Sequence, residues 1–374
     1  MKFSCLQENL QKGLSLIRSS IGKDKGLPIL SNILLKVEKG SITIEGTNLE
    51  LGIHCTIRGM VEEEGVVAVD AKVFYDYISL LPKEKIIFSC GEDFILHITC
   101  GTYTTTLRGV NPDDFPILPF FQSETTITCD NTQTLQALQS ILFATAPFSE
   151  TRPELSGVYF HWKDDNTISF VTTDTFRLSQ YSILVKQKKG TPQSVIIPLQ
   201  TLQEIQKILH TQQREDLEIL QNDSQIQFNC GAVRLVSKII QGSYPDYENI
   251  IPKNFSTTII IERDGFTKAI RATSLFSKSG LFDVCVAITI LPEGKGKIDI
   301  SSSNTVVGEN SVVLDGEGKG VDNTISLNYK YLLDWLSVCG DEKIVLRVVD
   351  ANTACLLEPI KKENQYYLVM PILE

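Results

Sequence analysis

The groups able to do chemistry are few and scattered. Four histidines, His54, His97, His161 and His210, have no spacing that would let two of them hold one metal ion. Nine cysteines form no CxxC pair, and most sit in apolar, strand-like runs, which argues against a zinc site or a disulfide framework and for a reducing compartment. No GxSxG elbow and no HExxH helix occurs. Gly316-Glu-Gly-Lys319-Gly320 has the composition of a phosphate loop but not its frame, which is a strand, GxxxxGK with Ser or Thr, then a helix. Because Val321–Leu327 continues as strand, the glycine run reads as a flexible hairpin. No cofactor and no metal are expected. One polar pair remains, Asp174 and Arg177 in Val171-Thr-Thr-Asp174-Thr-Phe176-Arg177-Leu178. It reads either as a capped turn with an exposed arginine or as an enzyme's catalytic pair, for which no converging groups can be named.

The elements around that pair occur three times. Asn48, Asp174 and Asn304 stand 126 and 130 positions apart, each a polar turn former after a strand-like run. Asp70 opens a helix over Ala71–Leu81 and Asn328 one over Tyr329–Cys339. Their apolar stripes, Val73, Phe74, Tyr77, Ile78, Leu81 and Tyr331, Leu332, Trp335, Leu336, Cys339, match at an offset of 258. Between them lies a helix entered through Pro198. Asp114-Phe115-Pro116, Ser243-Tyr244-Pro245 and Val369-Met370-Pro371 close the three copies. Each copy reads as helix, strands, helix, strands: two helices packed on antiparallel sheet, an α+β unit. The first helix is expected over 6–21 and the strands of the last copy from Val284 through Leu314. Boundaries are expected at 1–122, 123–252 and 253–374.

Composition agrees with globular domains: 374 residues, 42% hydrophobic, 21% charged, formal net charge −10. No apolar run approaches the ~20 residues that span a bilayer, and the amino terminus lacks the apolar region of a signal peptide. A cytoplasmic protein without membrane contact is expected. The negative total argues mildly against nucleic acid, yet cations gather on or beside the helices: Lys12, Arg18, Lys23, Lys25, Lys72, Lys207, Lys268, Arg271, Lys278 and Lys330. These are either solvated helix faces or a weakly positive surface that meets phosphates without reading bases, set against acidic strands.

These residues carry a resemblance. Leu27-Pro-Ile-Leu-Ser-Asn32, Gly46-Thr-Asn-Leu-Glu50, Thr173-Asp174-Thr-Phe-Arg177-Leu178, Tyr244-Pro-Asp-Tyr247 and Tyr367-Leu-Val-Met370-Pro371 occur in order along all three copies. In that order the chain resembles the bacterial replicative sliding clamps, the β subunits of DNA polymerase III. The resemblance implies three clamp-type domains assembling into a closed ring as a head-to-tail homodimer. Double-stranded DNA would pass through it, held by topology and without sequence preference. It implies a non-catalytic processivity factor. Its partners would be the replicative polymerase α subunit, the clamp loader, repair polymerases and other proteins with a clamp-binding motif. A clamp-like paralogue acting as a protein-interaction ring is the alternative. DNA-facing positions would be Lys12, Arg18, Lys23, Lys25, Lys72, Arg152, Lys207, Lys268, Arg271 and Lys278. The partner-peptide cleft would comprise Leu155, Thr173, Thr175, Phe176, Arg177, Leu178, Pro245, Ile250, Asn352, Leu368, Met370, Pro371 and Ile372. The dimer contact would fall at Thr105 and Leu107 on one side and at Leu275 and Phe276 on the other. Two departures bear on the cleft: Phe176 stands where a smaller or polar residue is common, and Ile372-Leu373-Glu374 lacks the basic residue often found after Met-Pro.

Overall fold

The computed structural model describes residues 1–22, 26–163, 166–278, 280–361 and 364–373. The expected repeat is visible in the element order. The first third runs β1 (Lys2–Leu6), α1 (Gln7–Ile17), β2 (Asn32–Glu38), β3 (Ser41–Thr47), β4 (Leu51–Ile57), β5 (Gly59–Glu63), β6 (Gly65–Asp70), α2 (Ala71–Leu80), β7 (Lys85–Cys90), β8 (Ile95–Cys100) and β9 (Tyr103–Arg108). The second runs β10 (Thr126–Cys129), α3 (Asn131–Ile141), β11 (Gly157–Trp162), β12 (Thr167–Thr173), β13 (Arg177–Leu184), β14 (Gln187–Lys189), β15 (Val195–Pro198), α4 (Leu199–Thr211), β16 (Leu217–Gln221), β17 (Gln225–Cys230) and β18 (Val233–Lys238). The third runs β19 (Thr257–Glu262), α5 (Arg263–Ser274), β20 (Asp283–Ile290), β21 (Lys295–Asn304), β22 (Gly308–Gly320), β23 (Asn323–Asn328), α6 (Tyr329–Val338), β24 (Lys343–Val348), β25 (Cys355–Pro359) and β26 (Gln365–Val369).

Local chemistry explains the helix starts. The Asp70 carboxylate accepts the Val73 N–H at 2.8 Å, and the Asn328 side chain accepts the Lys330 N–H at 2.9 Å. Each satisfies a donor that the first helical turn leaves unpaired. Two expectations are corrected. The helix expected over 6–21 is α1, Gln7–Ile17, ending in a 3-10 turn at Arg18–Ser20, and it is preceded by a strand, β1, that was not expected. In β1 the ends, Lys2 and Leu6, are exposed, while Phe3, Ser4 and Cys5 are buried. The run Gly316–Gly320 is no hairpin loop but the end of β22, with Glu317–Gly320 paired with Thr257–Ile260 of β19. Close backbone approach selects glycine there. Gly320 has φ 108°, and a Cβ on it would stand 1.9 Å from the Ser256 carbonyl oxygen.

The chain forms two compact units. One contains Met1–Leu135, Val185–Pro192 and Gln200–Ile239. It holds a five-stranded sheet, β5-β1-β7-β8-β9, and a nine-stranded sheet, β14-β10-β16-β17-β18-β4-β3-β2-β6. Leu10, Leu14 and Ile17 of α1 are fully buried, as are Phe3, Phe74 and Phe88; Phe3 and Phe88 stack at 4.5 Å. The other unit contains Gln136–Leu184, Gln193–Leu199 and Ile240–Glu374. Its twelve strands run β15-β11-β12-β13-β26-β25-β24-β19-β22-β21-β20-β23. Phe266 of α5, Leu332 and Trp335 of α6, and Tyr367 of β26 share one core there. In both units a strand of the middle repeat joins a sheet of a neighbouring repeat: β18 pairs with β4, and β13 with β26.

Candidate functional site

The Asp174 turn is built by short polar side chains. Asp174 Oδ1 accepts the N–H groups of Phe176 and Arg177, each at 3.0 Å. Thr173 Oγ1 accepts the Thr175 N–H at 3.1 Å and donates to the Arg177 carbonyl at 2.7 Å. Thr175 takes the left-handed conformation, φ 80°. An Asx turn of this kind reverses the chain tightly and points the following side chains outward or across. Strand register then carries Arg177 opposite Val369 and Leu178 opposite Leu368. The Met370 N–H donates to the Phe176 carbonyl at 2.8 Å, so the turn and the end of β26 form one rim.

Arg177 is locked. Its Nε donates to Asp174 Oδ2 at 2.8 Å, one terminal nitrogen to Asp334 Oδ2 at 2.6 Å and the other to the Phe143 carbonyl at 2.9 Å. The guanidinium carbon lies 4.4 Å from the Tyr331 ring centroid and 5.5 Å from that of Phe143. Burial works against its charge, but Tyr367, Asp334 and Asp174 outweigh burial and hold its pKa above the ordinary value. The arginine is therefore a brace tying β13 to α6, and its planar fork suits the role. Asp334 and Phe143 escaped the sequence reading, and Tyr331 entered it only as part of an apolar stripe. Asp334 stands three residues after Tyr331 on one helix face, a spacing compatible with a shared contact, but nothing local points it at Arg177.

The expected cleft residues divide into floor and rim. Leu155, Thr173, Leu178 and Leu368 are buried, and Leu178 and Leu368 join Val171, Tyr247, Ala354 and Leu356 in a small core. Behind them Tyr159 stacks on Tyr244 at 4.7 Å, and His161 Nδ1 lies 2.8 Å from the Tyr247 hydroxyl. Burial lowers the His161 pKa. On the surface Phe176 is 60% exposed, Ile250 51% and Met370 39%. Thr175 and Asn352 are exposed, while Pro245, Pro371 and Ile372 are half-buried. Asn352 sits in a turn whose N–H groups bond Asp350. The exposed apolar side chains Phe176, Ile250 and Met370 thus stand over a buried apolar floor.

The expected DNA-facing cations Lys12, Arg18, Lys72, Arg152, Lys207, Lys268, Arg271 and Lys278 are all exposed. Lys23 and Lys25 lie outside the described residues. Lys207 pairs with Glu204 at 2.8 Å and Arg152 with Glu154 at 3.4 Å. The six α-helices of the described residues carry seven Lys or Arg against five Asp or Glu, so they are weakly positive in a chain whose total is −10. Thr105 and Leu107 lie half-buried on β9, the last strand of the five-stranded sheet. Leu275 is 73% exposed after α5, with Phe276 half-buried beside it. Among the described residues no group of three His, Cys, Asp or Glu side chains could hold a metal ion, and no helix is long and apolar enough to cross a membrane.

Family models match the chain in three consecutive pieces. Residues 1–119 match the N-terminal domain of the DNA polymerase III beta subunit, 129–246 its central domain and 248–373 its C-terminal domain. The "Beta sliding clamp" of Synechocystis sp. is 28% identical, covering 100% of this chain and 99% of that protein; that of Staphylococcus epidermidis is 27% identical over the same shares. Among solved structures, a sliding clamp (DNA polymerase III subunit beta) from Pseudomonas aeruginosa bound to griselimycin superposes with TM-score 0.92 at 25% identity, covering 100% of both chains. The clamp from Bacillus subtilis shares the fold, with TM-score 0.92 at 24% identity, covering 100% of this chain and 99% of that one.

Proposed function

This chain belongs to the DNA polymerase III beta subunit family and is a DNA sliding clamp, and from that premise we propose how it closes, holds DNA and receives partners. The observation that carries the proposal is a pair of open strand edges left over by the repeat. In each of two junctions the strand after an Asx turn pairs with the last strand of a neighbouring repeat: β4 with β18 and β13 with β26. The third such strand, β22, pairs over Gly308–Gly316 with β21 alone among the described residues. The third last strand, β9, pairs with β8 alone among the described residues. Two copies set head to tail would satisfy both edges and close a ring. Transferring the β4–β18 register places Leu107 opposite Val307 and Thr105 opposite Glu309, with Leu275 and Phe276 alongside. The domains then divide near 122 and 252.

The helices, with Lys12, Arg18, Lys72, Lys207, Lys268 and Arg271 exposed, would face the duplex, and Arg152 and Lys278 would flank it. Few cations means few phosphate contacts, which centres DNA without stopping it. The negative remainder discourages binding elsewhere. Phe176, Ile250, Met370 and Pro371 would receive one apolar peptide motif. It would be carried in turn by the replicative polymerase α subunit, the clamp loader and repair polymerases. Met370 adapts to different ligands. No turnover is assigned to Asp174 and Arg177, and the protein would act where the chromosome is copied.

Retention on DNA tests this reading. After loading onto nicked circles in moderate salt, the protein should stay on the circles and leave when they are linearised. Equal loss from both, with a control clamp loaded and retained, would overturn encirclement.

A further inference from the structure

A second concave site lies away from the peptide cleft, between α1 and α2. It is a cavity of ≈ 380 Å³ whose floor is Leu14, Ile33 and Ala71. All three are buried. Arg18 and Tyr75 form one wall, the guanidinium carbon 4.8 Å from the ring centroid. Lys72 and Asp76, one helical turn apart on α2, stand exposed at the rim. No other described residue forms an ion pair with Arg18, Lys72 or Asp76.

Sliding along a phosphate backbone needs cations alone. This cavity adds three things that such contacts do not use: an apolar floor, a stacked cation–aromatic wall and a carboxylate. A guanidinium held over a ring on one side can take a further planar group on the other, as in stacking recognition of unpaired bases. Two cations beside that platform suit a phosphate. A carboxylate at its edge accepts from a base with two adjacent N–H donors, which on the Watson–Crick edge is guanine. Thymine offers one donor between two carbonyls, which a carboxylate repels.

We propose that this cavity is a nucleotide site that takes one unstacked nucleoside monophosphate unit and prefers guanine. The base would lie on Arg18 over the Leu14–Ile33–Ala71 floor, its edge on Asp76 and its phosphate between Arg18 and Lys72. The unit would come either from a free nucleotide or from a single-stranded end of bound DNA. Only the second source rests on the clamp reading.

Titration of the full chain with dGMP, dTMP and inorganic phosphate, followed by ligand-observed NMR, tests it. The expected result is dGMP bound about tenfold more tightly than dTMP, with inorganic phosphate weaker than both. Arg18→Ala should weaken both nucleotides, and Asp76→Asn should erase the difference between them. Both side chains are exposed, so the variants should fold. A parallel titration with a labelled duplex bearing a single-stranded guanine or thymine end separates the sources. A guanine preference that Asp76→Asn removes assigns the strand end, and no preference there, with dGMP still bound, assigns the free nucleotide. No dGMP binding, equal dGMP and dTMP binding, or binding unchanged by Arg18→Ala and Asp76→Asn would overturn the proposal. Loading plays no part in these titrations, so their failure and failure of retention on circles are distinguishable.

Discussion

The turn at Asn48 and the turn at Asp174 share one backbone and differ at their tips. Asn48 Oδ1 accepts the N–H groups of Glu50 and Leu51 at 3.0 and 2.7 Å, as Asp174 does for Phe176 and Arg177. Thr47 Oγ1 accepts from Leu49 and donates to the Leu51 carbonyl, as Thr173 does for Thr175 and Arg177. Leu49 has φ 73° and Thr175 φ 80°. Even the next strand docks alike, the Lys238 N–H on the Glu50 carbonyl at 3.0 Å and the Met370 N–H on that of Phe176 at 2.8 Å. At the first turn, however, the two facing side chains are Glu50 and Lys238, paired at 2.9 Å. At the second they are Phe176 and Met370, apolar and exposed. One frame thus yields a surface whose charges satisfy each other and a surface that still has apolar area to bury. Asp in place of Asn also matters, since its second oxygen holds Arg177, where the first turn has the buried Leu51.

Exchanging the tips should have the largest effect. Phe176→Glu with Met370→Lys should weaken a clamp-binding peptide by about 100-fold and leave thermal stability within about 0.5 kcal/mol, read by fluorescence anisotropy and calorimetry. A peptide that still binds would place the partner site elsewhere. The brace comes next. Arg177→Leu makes the second turn resemble the first but strands Asp174 and Asp334, and since Asp334 is half exposed the loss should be about 2–3 kcal/mol in denaturant unfolding. A loss near zero would mean that Arg177 does not brace β13 against α6. Removing the turn formers should separate the two copies more gently. Asn48→Ala should cost about 1 kcal/mol and Asp174→Ala about 2, because only the second also loosens an arginine; equal losses would deny the brace. The smallest effect is that of pH. Burial lowers the His161 pKa, so the unfolded chain takes up a proton more readily than the folded one. Stability tied to this group is present above the unfolded value and is lost as pH falls through the window below it. Going from pH 7.5 to 5.5 should therefore destabilise the parent more than His161→Phe, and equal slopes would remove His161 from the account.

Much of the fold was legible because its signals are local. Caps at Asp70 and Asn328 and the Asx turns at Asn48 and Asp174 are bonds spanning two or three residues, so residue type and spacing report them directly. The third turn shows the limit. Asn304 keeps its bonds to Val306 and Val307, yet Ser303 replaces the threonine, and Thr305 is not left-handed as Leu49 and Thr175 are. The glycine run at Gly316–Gly320 misled for the same reason. Composition reports flexibility, whereas here glycine answers crowding by Ser256, which lies far along the chain.

By itself, then, the sequence determined the threefold repeat, the helix starts, the turns and which side chains are apolar, because each rests on contacts a few residues long. Only the tertiary structure decided what those side chains do. It put Leu178 and Leu368 into a core and left Phe176 and Met370 on a rim. It enclosed Arg177 between Asp174, Asp334 and the Tyr331 ring, and it left the β9 and β22 edges open for a second copy. These outcomes follow from strand register between segments as much as 192 residues apart, such as Arg177 opposite Val369. A one-residue slip in the β13–β26 register would turn Arg177, Leu178 and Leu368 to the opposite faces, and no local spacing encodes it.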